Sequence, residues 1–133
     1  MKSPLVRILL ALTVLLAATL ACGGSFSTAN ISNAYTTADP NGGSPTTVFA
    51  PEQTFYLVVE LANAPDDTVV KAVWYGVGDT GTTPDYVIDE VEAIGSDNLT
   101  FNLATDVLWP TGPYKVEIYL NGELDRTIQF EVR

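Results

Sequence analysis

The chain has 133 residues, with six Lys and Arg against sixteen Asp and Glu, no histidine, one cysteine and a formal charge of −10. That length suits one ordinary domain with a short extension. The composition excludes His-based triads, His-ligated zinc, an intramolecular disulfide and a Cys-based zinc cluster, and its acidity argues against nucleic acid, whose phosphates require clustered Lys and Arg.

Lys2 and Arg7 precede an uncharged run from Ile8 to Ala21, and Cys22-Gly23-Gly24-Ser25 follows directly. A basic start, a short apolar stretch and a small residue at its end are the parts of a secretory signal, and the run is short of the ~20 residues that a membrane span needs. Thr19-Leu20-Ala21-Cys22 resembles the lipobox of bacterial lipoproteins, with Thr19 where leucine is commonest. The resemblance implies cleavage before Cys22, lipidation of that cysteine and attachment to the cell membrane on the side away from the cytoplasm. Two or more acyl chains hold a protein stably on a bilayer. Residues 1–21 are then a signal peptide, 22–28 the lipidated cysteine and a flexible linker, and 29–133 the folded domain. Cleavage removes Lys2 and Arg7 and leaves four cations against sixteen acids, a net charge of −12. An anionic membrane surface repels such a domain, so the lipid must hold it there.

No internal repeat follows, and no window keeps a 3.6-residue apolar period. Apolar residues instead alternate with polar ones between turn clusters, as in half-buried strands. Ala29 to Thr36 reads as a weak first strand, and residues 39–45 as a loop rich in Gly and Pro. Thr54 to Ala62 is a strong strand with Phe55, Leu57, Val59 and Leu61 on one face. A turn at 63–67 leads to a strand from Thr68 to Val77 that carries Trp74. After a loop at 78–84, Tyr86 to Ile94 reads as a charged strand near a sheet edge. Leu99, Phe101 and Leu103 alternate with Thr100 and Asn102. Trp109 to Pro113 forms a corner, and Tyr114, Val116, Ile118 and Leu120 face inward beyond it. Asn121-Gly122 suits a two-residue type I′ hairpin turn, because both residues tolerate positive φ. Leu124, Ile128, Phe130 and Val132 end the chain. About seven strands at this spacing predict an all-β, antiparallel β-sandwich.

Two patterns sharpen that prediction. Gly112-Pro113-Tyr114-Lys115-Val116 resembles the tyrosine corner of immunoglobulin-like domains, and Trp74 stands where their core tryptophan lies. Leu61 and Val116 occupy the places of the two core cysteines. The last hairpin is similar to that of bacterial immunoglobulin-like or fibronectin-III-like modules, as is Phe49-Ala50-Pro51 before a strong strand. The resemblance implies an immunoglobulin-like sandwich over most of residues 29–132 and carries no activity with it, because this architecture hosts many unrelated roles.

Catalytic equipment is sparse. Asp79-Thr80-Gly81 has the composition of an aspartic-protease triplet but sits in a Gly/Thr/Pro loop, where Asp79 is read as a turn residue. Asp85, Asp89, Glu90 and Glu92 form one acidic cluster and Asp66-Asp67 another. Neither has calcium-loop spacing, and along a strand Asp89 and Glu90 point to opposite faces. These charges read as protection of a sheet edge. No pair of carboxylates is placed for glycoside hydrolysis, and no base is placed to activate a Ser or Thr. Asn30-Ile31-Ser32 and Asn98-Leu99-Thr100 match the glycosylation sequon, read as chance in a bacterial-type lipoprotein.

Trp74, Phe101, Tyr114 and Phe130 are assigned to the core. Tyr56 and Tyr119 are out of phase with it, and together with Tyr75, Tyr86 and Trp109 they are candidates for the outer surface, where Tyr and Trp favour binding. The sequence therefore predicts a lipid-anchored, non-enzymatic module of the cell envelope, with no cofactor and no metal. It would bind a protein or glycan partner through a sheet carrying Tyr56, Tyr75 and Tyr119. The alternatives are a structural spacer without a ligand and, more remotely, a small carboxylate-dependent hydrolase.

Overall fold

The computed structural model describes residues 28–78 and 83–133. Eight strands form, and no helix is found among these residues: β1 (Asn30–Thr37), β2 (Val48–Phe49), β3 (Phe55–Ala62), β4 (Val69–Gly76), β5 (Tyr86–Ile94), β6 (Leu99–Leu103), β7 (Gly112–Leu120) and β8 (Glu123–Val132). They make two sheets, β1-β3-β6 and β2-β8-β7-β4-β5. All pairings are antiparallel except β2 with β8, where Val48 and Phe49 run parallel to Glu131 and Val132. β2 escapes the alternation signal because it is two residues long.

Alternation places Phe55, Leu57, Val59 and Leu61 of β3 against Val70, Ala72 and Trp74 of β4 and against Tyr114, Val116 and Ile118 of β7 in one core. Phe55 is its hub. Its ring meets Trp109 stacked at 4.6 Å, and Phe49 and Phe130 edge-on at 4.8 and 4.9 Å. Such pairs add to the ~1.5–3 kcal/mol that burial of each large apolar side chain contributes. Leu61 and Val116, in the places of the absent cysteines, both join this core. Trp74 is wholly buried, and its indole N–H has no hydrogen-bond partner among the described residues.

The tyrosine corner forms as its residues indicate: the Tyr114 hydroxyl donates to the Pro110 carbonyl at 2.6 Å, back across the bend. The hairpin turn also forms, with positive φ at Asn121 (49°) and Gly122 (88°) between the paired residues Leu120 and Glu123. Asn121 ties the hairpin to the start of β4 by accepting from the Val69 N–H at 3.0 Å and donating to its carbonyl at 2.8 Å.

Candidate functional site

β4 and β7 lie side by side in the middle of the five-stranded sheet, and their outward residues fall into three cross-strand pairs. Lys71 faces Tyr119, Val73 faces Glu117, and Tyr75 faces Lys115. The two outer pairs are cation–π contacts, with the Lys71 Nζ 4.5 Å from the centre of the Tyr119 ring and the Lys115 Nζ 4.8 Å from that of Tyr75. The Tyr119 hydroxyl donates to Glu117 at 3.1 Å. Hydrogen bonding to the same carboxylate, reinforced by burial and by the Glu117 charge, pushes Tyr75 up to about 12. Tyr119 is raised as well, first by its bond to Glu117. Glu117 therefore raises both phenols.

β5 extends this face toward the edge of the sheet. Lys71 also pairs with Glu90 at 3.1 Å, and Lys115 with Asp85 at 2.9 Å. Asp85 is held below its usual range by Lys115 and by the Gly78 N–H, which donates at 3.0 Å, and Lys115 is raised in return, first by Asp85. At the centre, Val73 points outward and lies outside the core cluster, yet is only 5% exposed. Its neighbours along β4 and across the pairings with β5 and β7 are Lys71, Tyr75, Glu90 and Glu117.

Tyr75 and Tyr119 therefore come together, but Tyr56 does not join them. It lies on β3, paired with Thr37 and Asn102, in the other sheet and on the opposite side of the sandwich. Alternation tells that Tyr56 faces outward and is silent on which sheet carries it. Trp109 corrects a second expectation. It is buried at the corner before β7, where its indole N–H donates to the Gln53 carbonyl at 2.9 Å, its amide donates to the Pro51 carbonyl at 2.9 Å, and its ring stacks on Phe55. A loop residue outside any alternating segment gives no periodic cue to such burial. Tyr86 is exposed at the start of β5, its ring lying across Gly76, where an added Cβ would meet the ring at 2.2 Å. Sequence reasoning passed over Lys71, Lys115 and Glu117, although their out-of-phase positions beside Tyr75 and Tyr119 are legible in the alternation.

Cys22 and Asp79-Thr80-Gly81 lie outside the described residues. Among the described residues no three acidic, Cys or His side chains gather as a metal site. Two shallow grooves, of about 300 and 350 Å³, open beside β8. One is lined by Ala34, Thr36 and Ile128 among others and has no titratable acid or base besides Tyr35. The other has Tyr114 and a single carboxylate, Glu131.

No family model matches the chain, and no curated protein matches it. Among solved structures it is similar to an immunoglobulin-like protein from Pseudomonas aeruginosa, with a TM-score of 0.55 and 13% identity over 82% of this chain and 99% of that one. It is also similar to part of an alkylpurine DNA glycosylase from Pseudomonas fluorescens, with a TM-score of 0.51 and 20% identity over 80% of this chain and 31% of the enzyme. At these identities the likeness is one of fold, and the fold is an immunoglobulin-like β-sandwich.

Proposed function

We propose that this immunoglobulin-like domain is a non-enzymatic binding module, tethered to a bacterial cell membrane through a lipidated Cys22, and that it engages a protein partner with the outer face of its five-stranded sheet. The observation that carries the reading is Val73, an outward valine only 5% exposed and flanked by Lys71, Tyr75, Glu90 and Glu117. Side chains can move aside and re-pair across an interface, whereas a backbone cover cannot do so cheaply. Tyrosines over a buried apolar centre, ringed by charges of both signs, match the anatomy of interfaces with an apolar middle and a polar rim. The lipobox resemblance of Thr19 to Cys22 supports the tether.

Two experiments test the two halves. Mass spectrometry of the mature N-terminus should find an acylated Cys22, and Cys22→Ser should release the protein from membranes. Site-specific cross-linking in the envelope from Thr127, an exposed neighbour of Glu117 on the same face, should trap a partner that the double variant Tyr75→Ala/Tyr119→Ala loses and Tyr56→Ala keeps. A second reading, a spacer without a ligand, is favoured by the lysine already seated over each ring. It requires that the double variant and Tyr56→Ala behave alike.

A further inference from the structure

Four of the eight large apolar side chains exposed among the described residues, Tyr86, Val87, Val91 and Ile94, belong to β5, the terminal strand of the five-stranded sheet. β5 is nine residues long and, among the described residues, pairs with β4 on one side only. Its first part is spoiled for further pairing by a bulge between Val87 and Asp89. From Asp89 to Ile94 the register with β4 is regular. Two bonds fix which backbone groups look away from β4. The Gly95 N–H bonds to the Thr68 carbonyl on the β5 side, and the Asn121 N–H bonds to the Val69 carbonyl on the β7 side. Antiparallel alternation from there turns Asp89, Val91 and Ala93 toward β4 and leaves the N–H and C=O of Glu90, Glu92 and Ile94 facing outward. The Glu90 N–H fits this assignment, since it is taken up by the Asp89 carboxylate at 2.9 Å rather than by β4.

The free edge therefore presents the backbone of Glu92 and Ile94 and the carbonyl of Glu90. A strand added there would set its outer-face side chains opposite Glu90, Glu92 and Ile94, and its inner-face side chains beside Val91 and Ala93. A second copy of β5 would bring acids against acids, which is unfavourable for directly opposed residues. Nor do the described residues of the chain hold a spare cation: Lys71, Lys115, Arg126 and Arg133 are paired with Glu90, Asp85, Asp125 and Glu131.

We propose that the Asp89–Ile94 edge of β5 accepts, by strand addition, an extended segment of a partner protein in which cationic residues alternate with apolar ones. The cations meet Glu92 and the Glu90 carboxylate, which stays 54% exposed beside its partner Lys71, and the apolar residues cover Val91 and Ala93. The acids that bar a second copy of this chain thus select the partner. This rests on the reading of the five-stranded sheet as the binding sheet, and it gives that sheet's partner its chemistry.

The test uses the full chain in non-ionic detergent micelles and three capped nine-residue peptides: alternating Lys and Val, alternating Glu and Val, and the Lys–Val peptide N-methylated at its lysines. The Lys–Val peptide should slow amide hydrogen exchange at Glu92 and Ile94 by about tenfold or more, and the other two should leave it unchanged. Glu92→Lys should reverse the preference, giving protection by the Glu–Val peptide and none by Lys–Val. Equal protection by the N-methylated peptide means adsorption by charge alone and overturns the proposal. So does the absence of protection with saturating Lys–Val peptide, or protection in the free chain that rises with its own concentration. If Tyr75→Ala/Tyr119→Ala loses the cross-linked envelope partner while Glu92→Lys retains it, the edge proposal falls and the reading of the sheet face stands.

Discussion

Each sheet of the sandwich buries one valine on its outward side, and the two are covered in opposite ways. Val58, on β3, is 6% exposed beneath the chain's own loop. Gly42 comes so close that a Cβ there would stand 3.3 Å from Val58, and the Tyr35 hydroxyl bonds the Gly42 carbonyl at 2.7 Å. Thr37 fastens the same loop through the Gly43 and Ser44 carbonyls. Val73, on β4, is flanked among the described residues by the side chains of Lys71, Tyr75, Glu90 and Glu117. A backbone cover held by hydrogen bonds closes one face of the molecule for good. A cover of lysines and tyrosines leaves the other face adaptable, so the sheet that looks more crowded with charge is the one suited to a partner.

The largest effect belongs to the core beneath both covers. Trp74→Ala removes a wholly buried ring that contacts Phe55 and Phe130, and chemical denaturation should show a loss of about 3–5 kcal/mol, enough to unfold a marginal domain. Trp74→Phe should cost clearly less, because it keeps a ring in place and removes a buried donor that has no acceptor. Equal losses would mean that the indole N–H is satisfied after all.

The next effect separates the covers. Gly42 has φ of +79°, and alanine there combines left-handed strain with pressure on Val58, so Gly42→Ala should cost about 1–2 kcal/mol. That loss should be independent of salt, because the lock it disturbs is steric and hydrogen-bonded. Lys71→Ala and Lys115→Ala, on the opposite face, should each cost less than about 1 kcal/mol at low salt and still less near 1 M salt. A salt-dependent loss for Gly42→Ala, or a salt-independent one for the lysines, would erase the contrast.

How much of this was legible beforehand follows from the range of the signals. Alternation is local, and it places Phe55, Leu57, Val59, Val116 and Ile118 inward, Tyr75 and Tyr119 outward, and β5 at an edge, as the sheet order shows. The Asn121-Gly122 turn and the bond from Tyr114 to Pro110 are local too, spanning two and four residues. Whatever depends on distant partners was out of reach. The separation of Tyr56 from Tyr75 depends on which strands share a sheet, and the burial of Trp109 depends on carbonyls more than fifty residues away. The loop over Val58 is fixed by side chains of β1 that sequence reasoning could read only as a weak strand. The edge chemistry of β5 needed the hydrogen-bond phase of β4, which no residue type encodes.

The smallest effect is the sharpest probe of the adaptable cover. Tyr75 titrates near 10 in the unfolded chain and is pushed up to about 12 in the folded one, first by hydrogen bonding to Glu117, then by burial and the Glu117 charge. Below pH 10 both states keep the proton, and the contribution of this bond to stability is fully present. Between 10 and 12 the unfolded chain releases its proton first, so stability falls through that window, and above it the contribution is gone. Glu117→Gln removes the charge from the acceptor that Tyr75 and Tyr119 share. Tyrosinate absorbance should then show both phenols moving back toward 10, with a shallower loss of stability across the same window and little change at neutral pH. Movement of Tyr119 alone would mean that Glu117 serves one ring rather than two. Val73 would then lie beneath independent pairs instead of a single network, and the two faces would differ in charge but not in how their covers come apart.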